Sequence, residues 1–347
     1  MEVVFIKSKV ELLKEKIRPV TEEDERTLPK FSYSRLSVLK QCPYQYDLKY
    51  NKNLKTSEST LALSLGTLLH YILEQKGKML KAKTPVDFDL LQDILQNGIV
   101  QITDHMQTEI LGLKALKEKY WEIWEVSDSE GRTYNEKIEL FQKVLKTEME
   151  RDEWIPYLFE HPFDFVYDNK IILNGFIDRV DKRLLIDKEN TREIYRVVDY
   201  KTNKKPYEAK DLATSLQFGV YALAILNEFN EIPTDYQYRL ILLDIDQKAL
   251  TLGWENRIIT ALDNLITQFE NYKSSEEWTP KPTPLCHWCS FCETNSDAKE
   301  YKHECPYYSL WTPTNKTYEV NVKYNDGNGK DKYLGNSTGQ KRKIVVF

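Results

Sequence analysis

The stretch YRVVDYKTNKKP, residues 195–206, sets a carboxylate and an ammonium two positions apart, Asp199 and Lys201, in a run of valine and tyrosine. On an extended strand, side chains two apart share a face, so the two charges project together from a segment that otherwise reads as core. Upstream, NGFIDRVDK carries Asp178 on another strand-like stretch. A hairpin between the two stretches brings Asp178 and Asp199 within reach of one cation, because neighbouring strands lie ~4.8 Å apart. Converging carboxylates repel unless a cation stands between them, and their oxygens suit Mg²⁺ or Mn²⁺. An ammonium such as Lys201 beside that cation can position an attacking water, help lower its pKa or stabilise charge developing on phosphorus. The chemistry is that of phosphodiester hydrolysis. A D-x-K pair by itself is more often a structural ion pair at a strand end, so the neighbouring motifs must decide.

A second group of reactive residues is sulfur. CHWCSFC and the later ECP supply Cys286, Cys289, Cys292 and Cys305 in a C-x₂-C-x₂-C-x₁₂-C series, while Cys42 stands far upstream in QCPYQY. In a reducing compartment such a cluster is more often a metal site than a disulfide framework. Read locally, four thiolates could hold zinc as a closed structural site.

The patterning supplies elements to carry these groups. FSYSRLSVLKQCPYQYDLKY reads as helical, with Ser34 as its N-cap and a break at Cys42/Pro43. LALSLGTLLHYILEQKGKML reads as a second helix, with Gly66 permitting close packing and His70 and Glu74 on one face. Residues 86–160 read as mostly helical, including FDLLQDILQNGIVQITDHM. The period then changes to strand alternation through FDFVYDNKIILNGFIDRVDKRLLIDKENTREIYRVVDYKT, with DKEN as a hairpin turn. SLQFGVYALAILNEF returns to helix, DYQYRLILLDID to strand and ENRIITALDNLITQFENYKS to helix. The tail reads as a strand, a Gly/Asn loop and a final strand. The order indicates an α/β domain with a mixed sheet.

Four of these segments resemble, in order, motifs of the RecB-like branch of the PD-(D/E)XK nuclease superfamily. GTLLHYILE resembles its G-x-x-x-H helix, GFIDRVDK its G-x-x-D-R-x-D strand, VVDYKT its D-x-K-T strand and QFGVYALA its Q-x-x-x-Y helix. The resemblance implies a restriction-endonuclease-like three-layer α/β/α core with a mixed central sheet. It implies His70, Asp178, Asp199 and the Tyr200 carbonyl as metal ligands, and Asp178, Asp199 and Lys201 as the catalytic set. Gln217 and Tyr221 would support the site or contact DNA. The sulfur residues resemble those of the iron–sulfur members of this branch, AddB-like and CRISPR-adaptation nucleases, with one early and three late cysteines. Cys42, Cys286, Cys289 and Cys305 would then hold a [4Fe–4S] cluster that staples the domain's ends together. Cys292 is an additional candidate for the fourth position, and zinc is the alternative metal.

The expected organisation is an N-terminal extension over 1–30, a nuclease domain over 31–310 and a C-terminal β tail over 311–347. A helical insertion at about 78–160 and the metal-cluster region 286–305 lie within the nuclease domain. The expected activity is that of a metal-dependent deoxyribonuclease, an exonuclease on single strands or DNA ends in recombination, repair or replication, of a compact kind compatible with phage origin. Its partners would be DNA and a helicase or recombination protein. The competing readings are a non-cleaving DNA-binding or helicase-associated subunit, and an RNA nuclease. Net charge is −5 over 347 residues, so no global positive field attracts nucleic acid, and local basic clusters must do so. CPYQYDLKYNKNLK interleaves aromatic and basic residues in the manner of a base-stacking surface, though such a pattern is more often a core with a solvated face. The chain contains no apolar run of ~18 residues and no signal-peptide core, so a cytoplasmic location without membrane contact is expected.

Overall fold

The alternating region folds as three long antiparallel strands followed by a parallel crossover, seen in a computed structural model. It describes residues 9–54, 60–103, 106–128, 130–187, 190–250, 253–281, 283–292, 301, 304–305, 310–311, 318–319, 333–335 and 341–343. By contacts the chain divides into two compact units, Met1–Lys30 with Ser59–Ala261, and Phe31–Glu58 with Leu262–Phe347.

The first unit is built on a seven-stranded mixed sheet. Six strands follow one path in chain order: β1 (Ile17–Arg18), β2 (Ile155–Tyr167), β3 (Ile171–Asp187), β4 (Asn190–Lys201), β5 (Asp235–Leu240) and β6 (Ile245–Lys248). Asp168 and Asn169 make the β2–β3 turn at φ 51° and 52°, a left-handed conformation that Asp and Asn tolerate better than most residues. β4 and β5 pair in parallel, Asp199 beside Tyr238, because a helix carries the chain between them.

That helix and another cover opposite faces of the sheet. α1 (Leu61–Lys81) starts at Thr60, whose hydroxyl accepts the Leu63 N–H at 3.2 Å. Its Leu65, Leu69, Ile72 and Leu73 pack with Val198 and Tyr200 of β4, in a core shared with α2 (Phe88–Asn97) and α3 (Tyr134–Thr147). Each fully buried Leu or Ile stabilises the fold by roughly 1.5–3 kcal/mol. α4 (Leu216–Phe229) touches Asp199, which alternates with Val198 and Tyr200 and so points to the other face. The result is the expected α/β/α layering.

Three local expectations change. Ser32, not Ser34, caps the helix Tyr33–Gln41, accepting the Arg35 N–H. Residues 86–160 are not continuously helical: Gly98–Thr103 and Met106–Leu111 pair as an antiparallel hairpin. Gly98, at φ 77°, ends α2, and a Cβ on it would meet the Ile110 carbonyl oxygen at 2.2 Å, so only glycine fits where the hairpin begins. The last helix within 86–160 ends at Thr147, and β2 already begins at Ile155.

The second unit holds Tyr33–Gln41, all five cysteines and an aromatic cluster in which Tyr46 and Tyr272 each stack on Trp278 at 5.6 and 5.4 Å. In the tail, Leu310–Trp311 pairs with Tyr318–Glu319 and Tyr333–Gly335 with Lys341–Lys343. Among the described residues no helix is long and apolar enough to cross a membrane.

Candidate active site

Strand register sets the site. β3 and β4 pair Arg179 with Val198, so one step further Asp178 falls opposite Asp199. β2 and β3 pair Phe159 with Arg179 and His161 with Ile177, which sets Glu160 opposite Asp178. Three carboxylates therefore lie level on three adjacent strands. Glu160 adopts φ 40°, a left-handed kink that a non-glycine residue keeps only where its surroundings hold it.

α1 contributes His70. Its Nδ1 lies 3.5 Å from Asp178 Oδ2 and 3.9 Å from Glu160 Oε1. Asp178 Oδ2 also accepts the Tyr200 N–H at 2.7 Å. Asp199 is almost wholly buried. Its Oδ1 accepts Gln217 Nε2 at 2.7 Å and the Tyr221 hydroxyl at 3.4 Å, and Gln217 also donates to Tyr221 at 2.9 Å. Asp199 Oδ2 is ion-paired with Lys201 yet lacks a hydrogen bond of sound geometry. Lys201 Nζ lies 5.5 Å from the centre of the Tyr238 ring. His70 and Asp178 thus meet on one side and Asp199 and Lys201 on the next strand, with Gln217 and Tyr221 directed at Asp199; of Tyr200 it is the N–H that reaches Asp178.

The electrostatics are those of a site short of positive charge. Burial pushes the Asp199 carboxyl up to about 6; Lys201 opposes the shift and Asp178 adds to it. Burial likewise raises Asp178, against the pull of His70 and Lys201. Burial disfavours charged His70 and Lys201, but the facing carboxylates outweigh it and raise both. His70, Glu160 and Asp178 each offer a donor atom within 4.8 Å of the others, the one such set of three among the described residues. That spread fits oxygen and nitrogen donors around a cation held at ~2.1 Å. Asp199 lies outside that set of three donors, on the neighbouring strand, with its Oδ2 facing Lys201.

Glu160 escaped the sequence reading. FEHPFDF displays an acid on a strand, but nothing in that pattern says which acid meets Asp178. Counting register back from the β2–β3 turn would have found it.

Behind the site, the remaining motif residues form a buried ion network. Arg179 donates to Asp181 at 2.6 and 2.8 Å, to Glu148 at 2.9 Å and to the Tyr200 hydroxyl at 2.9 Å. Glu148 also accepts Arg239 at 2.8 Å. Lys76 on α1 donates to the Leu145 and Glu148 carbonyls at 2.8 and 2.7 Å, fixing Glu148 at the end of α3.

In the second unit, Cys42, Cys286, Cys289, Cys292 and Cys305 line one pocket with Leu48 and Phe291. Cys305 N–H donates to the Phe291 carbonyl at 2.9 Å, and the Tyr44 hydroxyl donates to the Glu304 carbonyl at 3.2 Å. Those bonds hold Cys305 close to both the late cysteines and the Cys42 segment. Burial pushes the Cys289 thiol up to about 11, and the adjacent Cys42 and Cys292 push the same way. A soft cation among these sulfurs would supply the positive charge that thiolates need.

A family model described as the PD-(D/E)XK nuclease superfamily matches residues 30–294. The chain is 28% identical over 235 residues to an ATP-dependent helicase/deoxyribonuclease subunit of Clostridium perfringens, covering 63% of this chain and 19% of that protein. It is 26% identical over 216 residues to the Clostridium kluyveri protein of the same name, covering 58% and 18%. The Clostridium tetani protein of that name is 25% identical over 218 residues. The chain spans about a fifth of the length of these relatives.

Proposed function

We propose that this chain, which belongs to the PD-(D/E)XK nuclease superfamily, is a metal-dependent deoxyribonuclease that works as an exonuclease on single-stranded DNA or DNA ends. The observation that carries the reading is the meeting of His70, Glu160, Asp178, Asp199 and Lys201, drawn from four separate elements, in one anionic site. A structural ion pair would need only Asp199 and Lys201.

His70, Glu160, Asp178 and Asp199 would hold Mg²⁺ or Mn²⁺. Such an ion, when bound, polarises the scissile phosphate and acidifies water. Asp199 is oriented for this by Gln217 and Tyr221, which act as positioning residues. Lys201 stands beside Asp199 and donates to the attacking water or to the phosphate oxygen on which charge develops. Tyr200 ties Asp178 to β4 through its N–H, while its hydroxyl rests on Arg179, so the buried network keeps the two acidic strands aligned.

The cysteine pocket would hold a [4Fe–4S] cluster, with zinc as the alternative, through Cys42, Cys286, Cys289 and either Cys292 or Cys305. The relatives are named as helicase/deoxyribonuclease subunits, which supports DNA as substrate and a helicase as partner; the role in recombination or repair is part of the proposal.

The test is hydrolysis of end-labelled linear single- and double-stranded DNA in Mg²⁺, in Mn²⁺ and in EDTA, beside a circular single strand and an RNA of the same sequence. The expected result is metal-dependent release of short products from linear DNA, with the circle spared. Equal cutting of circle and linear strand would overturn the exonuclease part. Cleavage of RNA alone would reassign the substrate, and binding without cleavage would leave a non-cleaving subunit.

A further inference from the structure

Helices α1 and α4 contain three glycines among the described residues: Gly66, Gly77 and Gly219. Glycine is disfavoured inside a helix, so each position asks for a reason. Two have one inside the chain. A Cβ at Gly77 would stand 2.1 Å from the Phe159 ring, and one at Gly219 would stand 2.5 Å from Ile258. Among the described residues, the added carbon at Gly66 would meet only Thr202 Oγ1, at 3.6 Å, an ordinary contact. The close packing expected of Gly66 from sequence is therefore not what requires glycine there.

Its location supplies a different reason. Gly66 lies one turn before His70 on the same face of α1, and Thr202 directly follows Lys201. Leu63, on that face, is 63% exposed, and Thr67 is exposed as well. Gly66 itself is partly exposed, so the helix surface there opens to solvent beside Thr202 and one turn from His70.

We infer that Gly66 is the clearance over which the substrate strand's sugar–phosphate backbone passes as its scissile phosphate enters between His70 and Lys201. This rests on the nuclease reading above. A methyl group at residue 66 would displace that backbone outward, and a misplacement of about 1 Å at a reacting centre can cost ~100-fold in rate.

The experiment compares wild type, Gly66→Ala and Gly77→Ala as full chains. Melting temperature, kcat and KM on a linear single strand in Mg²⁺ are measured. So is the Kd of a fluorescein-labelled oligonucleotide in Ca²⁺. Gly66→Ala should melt about 1–2 °C higher, from the better helix former, yet lose at least tenfold in kcat/KM, with kcat lowered as well as KM raised, and bind the oligonucleotide more weakly. Gly77→Ala should melt well below wild type. A Gly66→Ala protein that keeps kcat/KM and Kd within twofold, or that melts lower than wild type, overturns the inference. If wild type binds the oligonucleotide but cuts nothing, the nuclease reading fails and the Kd comparison alone decides the inference. If wild type neither cuts nor binds, both fall.

Discussion

The carboxylate site and the cysteine pocket are assembled in opposite ways. Glu160, Asp178 and Asp199 sit on strands whose hydrogen-bond ladder dictates their spacing, with a buried ion network behind them. Cys42, Cys286, Cys289, Cys292 and Cys305 come from helix ends, a short 3₁₀ turn and irregular chain separated by more than two hundred residues. A site built on a ladder is preorganised, so losing what it binds should cost activity and little stability. A pocket built from chain ends depends on its occupant for cohesion.

The largest effect that distinguishes the two should be catalytic. Asp199→Ala and Lys201→Ala should each lower kcat by about 10³-fold or more, with melting shifted by only a few degrees and any visible cluster absorption retained. Substantial cleavage by either variant would remove the proposed site.

Next comes the network that makes the ladder rigid. Glu148 is buried against Arg179 and Arg239, and Glu148→Gln leaves them short of a counter-charge, a change that typically costs ~3–5 kcal/mol. Burial opposes ionised Glu148, but the arginines outweigh it and hold its carboxyl below the usual range. A depressed folded-state pKa contributes stability that is present above the unfolded value near 4.5 and lost as pH falls through the folded value. Chemical denaturation of wild type should therefore show stability falling below about pH 4.5, with a flatter profile in Glu148→Gln.

Cys42→Ser tests the other side of the comparison. It should bleach the iron–sulfur absorption and destabilise the second unit by about 2–4 kcal/mol, through loss of a cross-link between distant chain segments. A local zinc site predicts that Cys42→Ser keeps its metal and Cys292→Ser loses it, and anaerobic metal analysis of both variants separates the two.

The smallest effect is at Glu160. Glu160→Gln should weaken Mn²⁺ binding about tenfold, or ~1.4 kcal/mol, since other ligands remain. Isothermal titration that finds unchanged affinity would exclude Glu160 from the ligand set.

Much of this molecule is legible in one dimension. The two-residue period of VVDYK already separates Val198 and Tyr200 from Asp199 and Lys201, because alternation along a strand is a local property of the backbone. His70, Asp178, Gln217 and Tyr221 were recognisable because each stands in a short motif. Other features depend on how distant segments meet. Glu160 joins the site through register and a left-handed kink, neither of which has a signature in FEHPFDF. The hairpin after α2 hides in an apolar run that fits helix or strand, and the left-handed turn at Gly98 and its pairing with Leu111 decide it. Ser32 and Ser34 are equally good caps by residue type, and only the path of the chain into Tyr33 chooses between them. Gly66 is the sharpest case. Sequence marks it as unusual inside a helix, but the space beside it, which separates it from Gly77 and Gly219, exists only once α1 lies against the end of β4.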